Sequence, residues 1–310
     1  MMSTRAPSGE TLQDDLTAPE VPVATESADP PPSLRHLSPS RASDFKVCPQ
    51  LFKYRAIDRI ETPPTVYQAR GTTAHLALQR LFDLPAAQRT ADRLYDLFRD
   101  AWMELKPAEF PELFTSTDDE RSWGMESLEI LANYFGVEDP TAFEPLDREL
   151  DMTEELGHMT IRGILDRIDE DERGLVITDY KTGKAPPERY AIPAFFALKI
   201  YGLLIRRRLG RTPVALRLLY LNGPTLYEIP VNDQQLDAME RQLDALWATI
   251  DRALAQDRWP ARTGVLCDYC SFRDRCPAWA SAEEAESPGE DAGSSTAART
   301  PSGTVTVTPA

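Results

Sequence analysis

Between residues 148 and 182 three segments alternate apolar and polar side chains with the two-residue period of a β-strand, separated only by short polar turns. They cover 148–156, 159–169 and 175–182. No other feature constrains the chain as much, because alternate residues of a strand share a face and opposed residues on neighbouring strands meet. Centring the second turn between Glu172 and Arg173 sets Ile168 against Ile177, Asp166 against Asp179 and Ile164 against Lys181. One face of this hairpin then carries Ile164, Ile168, Leu175 and Ile177, with Asp166, Asp179 and Lys181 at one end of it.

Two carboxylates directly opposed on neighbouring strands repel, and apolar neighbours raise the cost of desolvating them. Lys181 compensates in part. A divalent Mg²⁺ or Mn²⁺ resolves the conflict, since hard cations favour carboxylate and carbonyl oxygens and retain several waters. One such water can serve as a nucleophile, with Lys181 fixing its position, and the cation and Lys181 together can stabilise charge on a phosphodiester. A solvated hairpin whose acids pair with Lys181 is the alternative, and the D…DxK spacing alone does not separate the two.

The rest of the chain is read around this hairpin. Helical patterns run from Ser38 or Ser40 to about Tyr54, from Pro64 to the Pro85 break, and over 91–105 and 120–135. After the meander come a helix over 189–209, strands at 214–221 and 225–231, and an amphipathic helix carrying Leu236, Met239, Leu243, Leu246, Ile250 and Leu254 on one face. This order implies a mixed α/β (α+β) fold with one central sheet flanked by helices. Residues 1–33 and 281–310 are poor in large apolar side chains and rich in Pro, Ser, Thr and acids, so both read as disordered tails around a folded unit at 34–280.

The net charge of −16 argues against a nonspecific binder of duplex DNA. The tails carry −5 and −4 of it, which leaves −7 on the folded unit, and a local groove can still be positive. No apolar stretch is long enough for a membrane span, and no basic-then-apolar leader opens the chain, so a cytoplasmic protein is expected. In that compartment the four cysteines, Cys48, Cys267, Cys270 and Cys276, are poor candidates for structural disulfides. Four thiolates suit soft metals, either a tetrahedral Zn²⁺ or an iron–sulfur cluster.

Taken together, these motifs resemble the RecB-type nucleases of the PD-(D/E)XK superfamily, including AddB and the CRISPR adaptation nucleases. The resemblance rests on Gly163-x-x-Asp166, on Asp179-Tyr180-Lys181-Thr182-Gly183, on the Gly71-x-x-x-His75 helix, and on Tyr201 in the helix after the lysine strand. It spans 38–277 and implies a restriction-endonuclease-like sheet. It further implies that His75, Asp166, Asp179 and the Tyr180 carbonyl bind metal, that Lys181 orients water or phosphate, and that Tyr201 assists. The family's Gln one turn before the tyrosine is replaced by Ala197. The one-plus-three cysteine spacing matches relatives in which it holds [4Fe–4S], here tying the first helix to the end of the core.

The activity implied is a metal-dependent DNA exonuclease acting on single-stranded ends in repair or recombination. The sequence lacks a G-x-x-x-x-G-K-[ST] motor motif, so any helicase is a separate partner. The competing reading is a DNA-binding or assembly subunit that keeps the fold without activity, in a helicase–nuclease or CRISPR adaptation complex. Lys184, Arg189, Arg206, Arg207, Arg208 and Arg211 are candidate phosphate contacts, with a solvated surface charge the commoner role for each; Phe52 and Tyr54 can stack on bases, with core packing the better reading of both.

Overall fold

A computed structural model describes residues 36–279; the tails expected at 1–33 and 281–310 lie outside the described residues. Helix α1 (Pro39–Val47) starts on Ser38, whose side chain accepts from the Arg41 N–H, with Pro39 at the first helical position. The sequence suggested one helix to about Tyr54, but the chain breaks at Cys48, which is extended (φ −158, ψ 113). Pro49 accounts for this: it disfavours the helical region for the residue before it. A short helix α2 (Pro49–Phe52) then runs into a wider turn at Lys53–Ile57.

Helices α3 (Val66–Leu81), α4 (Ala91–Glu109) and α5 (Thr117–Ala132) follow, with α3 held at its start by a reciprocal Thr65–Gln68 capping box. The strands are β1 (Asp147–Leu156), β2 (Met159–Asp171), β3 (Gly174–Lys184), β4 (Ala215–Asn222) and β5 (Thr225–Pro230). Helix α6 (Phe195–Leu209) carries the crossover from β3 to β4, and α7 (Asp233–Gln256) closes the core. The helix expected from residue 189 begins only at Phe195, after two short 3₁₀ turns, because Pro193 cannot supply an interior helical N–H.

The five strands form one sheet in sequence order, antiparallel except for the parallel β3–β4 pair. The alternation in β4 shows how the layers arise. Leu216, Leu218 and Tyr220 enter a core shared with α1, α6 and α7, whereas Leu219 and Leu221 enter a second core with α3, α4 and α5. Helices thus cover both faces of a sheet that is strand-rich in its middle, the mixed α/β architecture expected of this order. Among the described residues no helix is long and apolar enough to cross a membrane.

Candidate active site

The β2–β3 ladder follows the turn expected from the sequence: Asp171 pairs with Gly174, Ile168 with Ile177, and Arg167 with Thr178. Beyond that rung the two strands part, so the expected pairings of Asp166 with Asp179 and of Ile164 with Lys181 do not form, while β3 stays paired to β4 as far as Lys181 and, past an irregularity, again at Lys184. The site sits in this fork. Asp166 replaces the missing ladder with its side chain, Oδ2 accepting a 2.8 Å hydrogen bond from the Tyr180 N–H. Asp179 is buried, and its Oδ2 ion-pairs with the Lys181 ammonium but has no hydrogen-bond partner among the described residues.

His75 reaches the fork from α3. Its Nε2 donates to the Tyr180 carbonyl at 3.0 Å, and its Nδ1 lies 3.5 Å from Asp166 Oδ1. Burial acts to lower the imidazole, but the charge and hydrogen bond of Asp166, with Asp179 and Glu149 behind it, push His75 up to about 9. For Asp166 burial acts upward and is outweighed by His75 and the Tyr180 N–H, so its carboxyl is held below the usual range. Asp179 is pushed up to about 6 by burial and by Asp166, against the pull of Lys181. Two neighbouring carboxylates, one imidazole and an inward carbonyl make a donor set suited to Mg²⁺ or Mn²⁺. His75, Asp166, Asp179, Tyr180 and Lys181 are therefore brought together in one place.

Tyr201 comes to the same fork from α6. Burial first, then Asp179, Asp166 and Glu149, raise its hydroxyl well above the ordinary tyrosine value. Glu149 was not legible as a site residue, yet its carboxylate, one His75 ring nitrogen and an Asp166 oxygen lie within 4.8 Å of one another. The signal was available in the β1–β2 turn. Pairing about Gly157-His158 sets Arg148 against Arg167 and Leu150 against Leu165, which brackets Glu149 opposite Asp166.

Behind the fork lies a polar network that the sequence pattern did not suggest. Arg167, 1% exposed, forms a two-pronged pair with Glu138 at 2.7 and 2.8 Å and bonds Asp169 at 3.0 Å. It also donates to the Tyr180 hydroxyl at 2.5 Å and stacks 4.8 Å from the Phe143 ring centre. Tyr180 is thus held at both ends: its side chain by Arg167, its backbone by Asp166 and His75.

At the far end of the core Cys48, Cys267, Cys270 and Cys276 all line one cleft of about 350 Å³. The N–H of Arg262 donates to the Cys48 sulfur and that of Gly264 to the Cys267 sulfur, each at 3.4 Å.

Two expectations from the sequence are corrected. Ile164 does not share the apolar face of Ile168, Leu175 and Ile177; those three are buried, but Ile164 is 50% exposed, since it lies past the point where β2 and β3 part. Phe52 and Tyr54 take the core-packing role rather than that of stacking platforms: Phe52 packs fully buried against Phe45 and Trp259, and the buried Tyr54 gives its hydroxyl to the Arg275 carbonyl. Arg206, Arg207 and Arg211 are committed to acids on α7 and β2, namely Asp237, Glu240 and Glu170, which weakens them as phosphate contacts.

The model of the PD-(D/E)XK nuclease superfamily matches residues 36–277. No curated protein matches the chain. Among solved structures, a protein from Eubacterium rectale provisionally described as an exonuclease is similar at 15% identity and a TM-score of 0.48, over 76% of this chain and 87% of that one. The protein SSO0001 is similar at 17% identity and a TM-score of 0.37, over 79% and 87% respectively.

Proposed function

Because this chain belongs to the PD-(D/E)XK nuclease superfamily, we propose that it is a RecB-type, metal-dependent deoxyribonuclease that hydrolyses DNA from single-stranded ends in repair or recombination. The observation that carries this reading is the fork between β2 and β3, where Asp166 accepts from the Tyr180 N–H, His75 sits on the Tyr180 carbonyl and beside Asp166, and Lys181 pairs with Asp179.

His75, Asp166, Asp179 and the Tyr180 carbonyl would hold Mg²⁺ or Mn²⁺. When bound, that ion supplies an acidified water and neutralises charge on the scissile phosphodiester. Lys181 sits on the same strand as Asp179, one residue beyond Tyr180, with its ammonium already on the carboxylate that faces the fork. From there it orients the attacking water and donates to a non-bridging phosphate oxygen as charge builds. Asp179, as a ligand of that ion and the partner of Lys181, would help position the water. Tyr201, held protonated by its burial and by the carboxylates around it, is a neutral hydrogen-bond donor for the phosphate.

The four cysteines are assigned to a [4Fe–4S] cluster rather than Zn²⁺. Support comes from the cleft they share, which has room for a multi-atom group, and from the N–H donors on two of the sulfurs, which favour thiolates. The cluster's role is structural: it joins the break after α1 to the end of the core. DNA is the substrate, and a helicase, where one is needed, is a separate partner.

The test is cleavage of end-labelled single-stranded and duplex DNA by anaerobically purified protein in Mg²⁺, Mn²⁺ or EDTA, beside Asp179→Ala. Metal-dependent product that disappears in the variant supports the enzyme, and the fragment ladder reports polarity. A folded, iron-loaded protein that cleaves neither substrate would overturn the reading.

A further inference from the structure

Glu149 lies in an unusual backbone. Its φ is +48, a left-handed conformation that glycine, asparagine and aspartate tolerate far better than glutamate. The rungs on either side, Arg148 with Arg167 and Leu150 with Leu165, are formed, and the rung at Glu149 is the one missing between them. The strand therefore gives up local pairing and accepts strain at one residue. What this achieves is the delivery of a third carboxylate into a site that already holds two. Carried one position past the pairs that form, the two registers set Glu149 abreast of Asp166 and Asp166 abreast of Asp179, at the point where both ladders are interrupted. Neither strain nor like-charge repulsion helps the fold, and glycine or a neutral side chain would relieve one or both. Local strain that the surroundings hold in place is found preferentially at functional sites.

We propose that Glu149 is a ligand of the same divalent cation as His75 and Asp166. The proposal rests on the metal-dependent reading above and adds to it a residue that the sequence motifs do not contain. One ion is enough for all three groups. Their ligand atoms lie within 4.8 Å of one another, and opposite ligands of an octahedral hard cation with bonds of about 2.0–2.4 Å stand roughly 4–5 Å apart. Asp179 is also engaged by Lys181 on β3. Glu149 thus places its negative charge on the ion from the β1 side of the fork. A carboxylate at this position raises the affinity of a site that otherwise depends on an imidazole, two aspartates and a carbonyl.

The experiment is a Mn²⁺ titration of the full-length, iron-loaded protein, followed by electron paramagnetic resonance of free Mn²⁺, for wild type, Glu149→Gln, Glu149→Gly and Asp166→Asn. Thermal melts in EDTA accompany each. Both Glu149 variants are expected to weaken Mn²⁺ binding on the order of 10–100-fold. In EDTA the Gly variant should melt no lower than wild type, because φ +48 is unstrained for glycine. A residue that merely holds β1 together would show the opposite pattern, a lower melting temperature with affinity intact.

Mn²⁺ affinity within about twofold of wild type in both Glu149 variants, with affinity lost in Asp166→Asn, would overturn the role of Glu149 and leave the metal-dependent reading standing. Wild type that takes up no Mn²⁺, or Asp166→Asn that binds as wild type does, would remove that reading and this one with it. Failure of both Glu149 variants to fold would equally overturn the proposal, since a strained metal ligand is dispensable to the metal-free fold.

Discussion

A Cβ atom at Gly163 would lie 2.7 Å from Cε1 of Tyr201, and 3.1 Å from Cδ of Pro39 on its other side. The glycine of the Gly163-x-x-Asp166 motif is therefore the floor on which the Tyr201 ring rests. Its absent side chain lets α6 bring a phenol to the carboxylates three residues further along β2. Neither neighbour is the end of a flexible chain, so an added methyl group must displace the ring or the start of α1.

Gly163→Ala is expected to lower kcat by about tenfold or more, as misplacement of a positioned group does, while Mn²⁺ affinity stays near wild type. Overpacking should also cost about 1–3 kcal/mol of stability. Single-turnover cleavage beside a metal titration checks both halves; unchanged cleavage would remove Tyr201 from the chemistry.

The metal-free protein should lose stability as pH rises. His75 is pushed up to about 9 in the fold from about 6.5 in an unfolded chain. Folding thus favours its protonated form: the stabilisation is complete below pH 6.5 and is lost as pH climbs through 9. Asp179, up at about 6 from 3.8, acts in the same direction at lower pH, its contribution fading as pH rises through 6. Melts in EDTA at pH 5, 7 and 9 should fall in that order, and Mn²⁺ affinity should rise over the same range because His75 must be neutral to ligate. A melting temperature that increases from pH 7 to 9 would contradict the His75 geometry.

Arg167→Met should destabilise the domain by about 3–5 kcal/mol, because it leaves the buried Asp169 and the partly buried Glu138 without their cation. Urea unfolding measures the loss. Adding Glu138→Gln and Asp169→Asn to the same chain should recover a large part of it, since the cost lies in the unpaired charges.

Cys276→Ser is expected to lower the iron content and the visible absorption of the anaerobic protein together. Losing a bound group that joins Cys48 to the end of the core, at about 3 kcal/mol, corresponds to a melting temperature roughly 6–12 °C lower for a domain of this size. Retained iron in this variant would count against a four-cysteine cluster.

The period-two runs, the turn between Glu172 and Arg173 and the pairing of Ile168 with Ile177 were all legible in the chain, because strand alternation and a short polar turn leave a single register. The same logic identified Asp166, Asp179 and Lys181 as neighbours. It failed where local rules yield to tertiary ones. The helix from Ser38 was drawn through Cys48, although Pro49 announced the break. Ile164 was read as inward because alternation was extended past the point where β2 and β3 separate, which no periodicity marks.

The sequence by itself determined which residues could do chemistry and which strands would carry them, since those follow from side-chain type, period and turn. Only the tertiary structure decided how the fork is built. Asp166 turns to the Tyr180 N–H because the ladder stops, and Arg167 is paid for by a glutamate 29 residues away. His75 meets a carbonyl from a strand 105 residues later, and Glu149, bracketed opposite Asp166 by the β1–β2 register, reaches it through a left-handed backbone angle. For Asp166, Arg167 and His75 the physical reason is the same: burial in a low-dielectric core obliges each polar group to find a partner, and the partners available are set by which elements pack together, not by their order along the chain.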